Sequence, residues 1–275
     1  NNDGGRKCCR YNTPTAKIAE MYYRDPEHFK STTGYVIDDV WYPRVTSIIN
    51  IKSKPALYHF YAGLNGFSEG ESIKKKSAEE GTKVHEAVQA ILTDGEPEVD
   101  PSIAPAVNAF RKYLAENNIQ VDPDFIEKRV VSFNERYAGT IDALALINGR
   151  FGILDIKTSQ AIYRDYNLQT AAYFPPLQEQ FRNLQTRWIL RIDQVENCLN
   201  CGATRRTKGG REKIRLPRNN GTMKPCSNEH EWSDLQGQIE LKEFPYWQDD
   251  YAAFLAAKRL WEWENEYWLK QIGYA

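Results

Sequence analysis

The sequence predicts an α/β fold in which a mixed central sheet is flanked by helices and carries a small zinc-binding insertion. Three patterns lead to that expectation. Short runs of strand character at 125–132, 139–147, 151–157, 186–192 and 237–244 lie among segments of helical periodicity. Asn148-Gly149 separates two of those runs, a strong two-residue hairpin signal. A Cys-, Gly- and Arg-rich stretch at 196–231 interrupts the strand series. The 275 residues are enough for a sizeable core, and 41% apolar with 27% charged residues excludes a wholly disordered or collagen-like chain. No apolar run approaches the roughly 20 residues that span a bilayer. The net charge of −1 argues against a uniformly basic nucleic-acid coat. The sequence opens NNDGGRKCCR, without Met or an apolar signal core, so a processed end and an intracellular location are expected.

Taken in order, the first ten residues are polar, and 14–30 shows a weak helical pattern with Ile18, Met21 and Tyr22 on one side. Residues 36–50 mix β-branched and aromatic residues with turn formers. They read as one or two strands, or an extended loop, running into a helix. The stretch 53–63 reads as a short helix with Pro55 in its first turn. After a polar stretch at 69–76, Gly81-Thr82 opens a helix that Gly95 ends, with Val84, Val88, Ile91 and Leu92 at helical spacing. A second helix at 103–117 places Val107, Phe110 and Leu114 on one face. Three strands, a helix at 166–180, two further strands and a long aromatic helix at 247–272 complete the order. The expected division is an N-terminal helical or extended region 1–80, a core from 81–195 and 231–275, and an insert at 196–230.

With Asn148-Gly149 as the turn, the simplest register sets Asp142 opposite Asp155, Cβ atoms roughly 4.5–5.5 Å apart, and Thr140 opposite Lys157. Lys157 follows Asp155 by two, so it points to the same face. Facing carboxylates repel unless something positive lies between them. Hard cations such as Mg²⁺ take carboxylate oxygens, and two acids beside a Lys suit phosphodiester hydrolysis. Lys157 would orient or deprotonate a water, or stabilise the transition state. The same residues would equally serve as a solvated, charge-balanced strand pair.

The order of motifs resembles the PD-(D/E)XK nuclease superfamily, and its RecB-like, Cas4-like exonuclease branch in particular. The resemblance runs through GTKVHEAV (81–88), IEKRVV (126–131), AGTIDALA (138–145), GILDIKTS (152–159) and LQTAAY (168–173), about a third of the chain. It implies a restriction-endonuclease-like sheet and a Mg²⁺- or Mn²⁺-dependent deoxyribonuclease, exonucleolytic or acting on single-stranded ends. By the same resemblance His85, Asp142, Asp155 and the carbonyl of Ile156 would hold the metal. Lys157 would be catalytic, Gln169 and Tyr173 would position substrate or water, and Glu127 would be an upstream acid near the metals, with Glu135 as its competitor. The alternatives are a non-catalytic DNA-binding or assembly module that keeps the fold, and a structure-specific or CRISPR-adaptation endonuclease.

Two residues separate Cys198 from Cys201, three separate Cys226 from His230, and 24 residues lie between the pairs. That layout suits tetrahedral structural Zn²⁺. The superfamily also contains iron–sulfur nucleases, and Cys8 or Cys9 with Cys198, Cys201 and Cys226 forms the lesser alternative. Between the pairs lie Arg205, Arg206, Lys208, Arg211, Lys213, Arg215, Arg218 and Lys224 against one acid, Glu212, a net of +7 that leaves −8 on the rest of the chain. This patch is the expected phosphate contact for DNA, since clustered cations release counterions. A solvated zinc loop is the other reading. The expected partner is therefore DNA, with no membrane and no particular protein partner implied.

Overall fold

A computed structural model describes residues 22–217, 226 and 229–274. Cys8, Cys9, Ile18, Met21, Arg218 and Lys224 lie outside them. Three hairpins turn on residue pairs with positive φ: Asp38 and Asp39 (48° and 61°), Asn148 and Gly149 (50° and 80°), Gly209 and Gly210 (61° and 76°). Two consecutive left-handed residues suit the twist of a tight hairpin, and Asp, Asn and Gly tolerate them best. The first turn joins β1 (Gly34–Ile37) to β2 (Val40–Pro43), which follow helix α1 (Pro26–Thr33). Helices α2 (Val45–Ile49), α3 (Pro55–Ala62), α4 (Phe67–Leu92) and α5 (Ala104–Glu116) come next.

Helix α4 starts 14 residues before the expected opening at Gly81, so the expected boundary at 80/81 falls inside it. The polar stretch SEGESIKKKSAEE is rich in good helix formers but has no continuous apolar stripe, so periodicity missed it. Gly81 is a contact point rather than a start. A Cβ there would come within 2.9 Å of Thr158 Oγ1.

The main sheet runs β10 (Arg211–Arg215), β9 (Thr204–Lys208), β8 (Thr186–Asn197), β7 (Arg150–Lys157), β6 (Ala143–Ile147) and β3 (Ile119–Ile126), with β11 (Gln236–Glu243) also paired to β8. Strand β3 (Ile119–Ile126) pairs antiparallel with β6 (Ala143–Ile147), and β6 with β7 (Arg150–Lys157) across the Asn148-Gly149 turn. Strand β7 then runs parallel to β8 (Thr186–Asn197) through helix α6 (Asp165–Gln180). Strand β11 (Gln236–Glu243) covers the other edge of β8. The expected strand at 139–147 is two strands. Its first part, β5 (Tyr137–Thr140), forms a separate ladder with β4 (Arg129–Ser132). Thr140 therefore faces Arg129 and not Lys157. The ladder parts at Glu127, whose φ of 50° turns the backbone, and the end of β7 is left to pair with β8 alone. The aromatic C-terminal helix also divides, at Asn265, into α7 (Gln248–Glu264) and α8 (Glu266–Gln271).

Alternation along the strands sorts the core into two layers. Ala143, Ala145, Leu154, Ile156 and Leu190 pack with Val84, Val88, Val107 and Phe110 of α4 and α5. Leu144 and Ile153 pack on the other side with Tyr173, Phe174, Phe254 and Trp261, among aromatic residues of α1 and α6 to α8. Across this second layer runs Arg187 of β8, fully buried. Its guanidinium donates to the carbonyls of Asn167 (2.9 Å), Phe244 (3.2 Å) and Tyr246 (2.6 Å) and pairs with Asp250 at 2.9 Å. It ties β8 to α6, α7 and the segment after β11. Among the described residues no helix is long and apolar enough to cross a membrane.

Removing one member of a buried, multiply bonded ion pair leaves polar groups stranded. Arg187→Leu is expected to lower stability by about 3–5 kcal/mol in urea unfolding followed by circular dichroism. A loss below about 1 kcal/mol would show that the network is not a principal tie.

Candidate active site and metal centre

Strand β7 carries Asp155 and Lys157 on the aromatic side of the sheet, the side that Ile153 also faces. Asp155 is 2% exposed. Lys157 Nζ donates to its Oδ1 at 2.8 Å and lies 2.7 Å from Oδ2, which among the described residues receives no hydrogen bond of its own. The last paired residues of the hairpin are Ala143 and Leu154, which places Asp142 and Asp155 at the next facing positions, as the turn register requires. There the regular pairing ends. Asp142 Oδ2 accepts the backbone N–H of Ile156 at 2.5 Å.

Burial, helped by the charge of Asp142 and opposed by Lys157, pushes the Asp155 carboxyl up to about 7. Burial disfavours charge on Lys157 too, but Asp155 and Asp142 outweigh it and hold the ammonium above its ordinary range. Its Nζ also lies 5.2 Å from the centroid of the Tyr166 ring, an added cation–π stabilisation.

Helix α4 reaches the same place from the other layer. The close approach at Gly81 brings its next turn against the end of β7, where the half-buried His85 interacts with the backbone of Ile156. Burial lowers the pKa of His85, with Lys157 and Lys208 adding to the effect and Asp142 opposing it. One turn further, Gln89 Nε2 donates to Glu127 Oε1. Glu127 N–H in turn donates to the Asp142 carbonyl at 3.1 Å. Burial and Asp142 raise the Glu127 carboxyl. Glu135 sits exposed in the turn between β4 and β5, so Glu127 is the acid next to Asp142. The sequence reading missed Gln89, although its spacing of four from His85 marks the shared helical face.

Helix α6 closes the aromatic side. Tyr173 is buried, and Gln169 Nε2 lies 3.5 Å from its Oη. A Cβ on Gly139 would lie 2.4 Å from the Tyr173 ring, so a side chain at 139 would displace it. Burial raises the Tyr173 phenol well above its ordinary range, with Asp155 and Asp142 adding to the effect, so it is a neutral donor. Thr158 and Ser159 do not cap this helix, which begins at Asp165.

The structure thus gathers His85, Glu127, Asp142, Asp155, Ile156, Lys157, Gln169 and Tyr173 around the C-terminal end of β7. A groove of about 520 Å³ lined by Gly81, His85, Glu86, Gln89, Glu127 and Thr158 opens beside them. The acids each have an internal donor, and they do not converge as a ready ligand set.

Such a set does exist elsewhere. Among the described residues, Cys198, Cys201, Cys226 and His230 bring their donor atoms within 4.8 Å of one another and could bind a metal such as zinc. Cys198 Sγ lies 3.8 Å from Cys226 Sγ, and Cys201 Sγ 3.4 Å from His230 Nδ1. Burial alone would raise the Cys198 thiol. Donors from the Asn200 and Cys201 backbone and from the His230 and Cys201 side chains outweigh it and bring the pKa to about 6, while burial and the neighbouring thiols push Cys226 up to about 11. Amide donors onto sulfur favour the thiolate that a metal needs. His230 supplies the fourth donor. Cys8 and Cys9, the further sulfur of the iron–sulfur alternative, lie outside the described residues.

The basic insert is a hairpin, β9 (Thr204–Lys208) and β10 (Arg211–Arg215), grown from the end of β8. Much of its charge is engaged within the chain. Arg205 pairs with both oxygens of Glu196 (2.7 and 2.6 Å), and Arg206 with Asp193 (2.9 and 2.8 Å). Arg206 Nη2 also donates to the Thr158 carbonyl at 3.2 Å, and Lys208 Nζ donates to the same oxygen. Arg211 stacks over Phe60. Lys213 and Arg215 remain exposed, and Arg218 lies outside the described residues. The turn leans on α4, where Gly209 N–H donates to Glu80 at 3.0 Å.

No family model matches the chain, and no curated protein matches it at a significant level.

In the unfolded chain the Asp155 carboxyl titrates near 4, in the folded chain near 7. Between those values the folded state holds a proton that the unfolded state has released, so this group's contribution to stability falls as pH rises through the window. Asp155→Asn removes that term. In metal-free buffer the melting temperature of the variant relative to the parent is expected to climb from pH 4.5 to pH 7.5. A constant difference would mean that Asp155 titrates normally.

Proposed function

We propose that this chain is a metal-dependent nuclease that hydrolyses phosphodiester bonds in DNA at the C-terminal end of β7, on a restriction-endonuclease-like sheet. The observation that carries the reading is the buried Asp155–Lys157 pair, with Asp142, His85 and Glu127 beside it. Among the described residues Asp155 Oδ2 faces the Lys157 ammonium at 2.7 Å and accepts no hydrogen bond, and the set combines carboxylate oxygens with one imidazole, a donor set that suits Mg²⁺ or Mn²⁺. When bound, such an ion would polarise the phosphodiester and lower the pKa of a coordinated water. Lys157, kept cationic by two carboxylates, donates to the charge that develops on the phosphate oxygens rather than acting as a base. Neutral Tyr173 and Gln169 support the acidic cluster from α6, and Gln89 holds Glu127 in place. The resemblance to the RecB-like branch points to cleavage at ends.

The tetrad at Cys198, Cys201, Cys226 and His230 is proposed to hold structural Zn²⁺, since three thiolates and one imidazole fill a tetrahedral shell and leave no open position. A second reading, a nucleic-acid-binding module that does not cleave, is favoured by one observation: the hairpin acids have internal donors where ligands would converge.

Cleavage of end-labelled single-stranded, double-stranded and circular DNA with Mg²⁺, Mn²⁺ or EDTA separates the two. Parent protein is expected to cut with either ion and not with EDTA. Asp155→Ala and Lys157→Ala are each expected to lose at least about 10³-fold in rate, the scale of a lost transition-state contact, while DNA binding persists. Full activity in either variant would remove the site. For the tetrad, metal analysis is expected to find one zinc per chain, absent in Cys201→Ser, together with a lower melting temperature. A variant that keeps both zinc and stability would refute the assignment.

A further inference from the structure

A second cavity, of about 610 Å³, opens on the aromatic side of the sheet, between the α2–α3 connection and the start of α6. Its size falls in the ~300–1,000 Å³ range of ligand pockets. Its lining includes Lys52, Lys54, Tyr163, Arg164, Tyr166 and Gln169. Two of these belong to the site already described: Tyr166 lies under Lys157, and Gln169 adjoins Tyr173. The cavity therefore adjoins the end of β7, with Tyr166 and Gln169 as the shared wall. Tyr163, 44% exposed, meets Tyr166 edge to face at 5.8 Å, so one ring is presented to solvent and the other backs the lysine.

The cations here differ from those of the basic hairpin. Lys52 neutralises Asp165 at 2.6 Å, the acid of the cavity lining. Among the described residues Lys54 has no carboxylate partner and donates to the neutral Asn50 side chain, at 2.9 Å. Arg164 is exposed at the N-cap position, just before α6. On the hairpin, Arg205 and Arg206 are held by carboxylates, and Lys208 by a backbone carbonyl.

We propose that this cavity is the path of an unpaired nucleic-acid strand to the end of β7, with Lys54 and Arg164 on its phosphates and Tyr163 stacked on a base. Stacking on a tyrosine needs a base whose face is free, which a duplex does not offer, so the ligand is single-stranded. The proposal deepens the nuclease reading and rests on it for the fate of the strand, but not for its binding.

The test is fluorescence anisotropy of the full chain with labelled 12-mer oligo-dT and oligo-U, without added Mg²⁺ or Mn²⁺. The double variant Lys54→Glu/Arg164→Glu is expected to weaken binding at least tenfold and to flatten the log–log salt slope by about 0.7 per lost phosphate contact. Lys213→Glu/Arg215→Glu makes the same charge change on the hairpin and is expected to cost less. Tyr163→Ala is expected to weaken binding about fivefold or more, with Tyr163→Trp restoring it. Binding of either sugar supports the path, and the ratio of the two affinities tells DNA from RNA. No binding by the parent, unchanged affinity in the cavity variants, or a larger loss from the hairpin variants would overturn it. If the chain binds through the cavity but never cuts with Mg²⁺ or Mn²⁺, the nuclease reading falls and the path stands. If it cuts while the cavity variants bind like the parent, the path falls and the nuclease reading stands.

Discussion

A carboxylate placed in the middle of a sheet must have its charge answered, and the answer for Asp155 shapes its surroundings. Among the described residues the cation that reaches it is Lys157, two residues along the same face. A second carboxylate, Asp142, stands across the hairpin, where like charges repel. The backbone relieves that conflict by ending the β6–β7 ladder at Ala143 and Leu154 and turning the Asp142 carboxylate onto the Ile156 amide. Strand β5 is then free to pair with β4 instead. The break in the ladder and the clustering of acids thus share one electrostatic origin.

Both helical layers and the hairpin insert meet at that break. Gly81 lets α4 approach Thr158, which sets His85 and Gln89 over the end of β7. Arg206 and Lys208 both donate to the carbonyl of Thr158, so the residue after Lys157 is held by the hairpin as well as by its contact with α4. The hairpin is itself held by carboxylates of β8 at one end and by the Cys/His tetrad at its base. A metal there would brace the exit of β7 at a distance, through β8 and the hairpin. Charge that looked like a nucleic-acid patch is in good part internal bonding.

Much of the site was legible because it rests on short-range rules. The Asn148-Gly149 turn specifies which residues face each other, and alternation puts Lys157 beside Asp155. The CxxC and CxxxH spacings bring four metal donors into one place once the insert folds back. Glu127 was readable only through resemblance, and its contact with Gln89 joins residues 38 apart. The start of α4 was missed because its first turns have no apolar stripe to read. Arg187, the principal buried tie among β8, α6 and α7, looked like one more cation in a strand.

By itself the sequence determined the tight turn at Asn148-Gly149, the hairpin register as far as Asp142 and Asp155, and the ligand spacings, because turn chemistry and the periods of strand and helix act over a few residues. Only the tertiary structure decided where the β4–β5 ladder leaves the sheet, which arginines keep their charge for solvent, and which cavity adjoins Lys157. Those outcomes depend on partners far away in the chain. A charge is neutralised, or left to face water, by whatever the fold brings beside it.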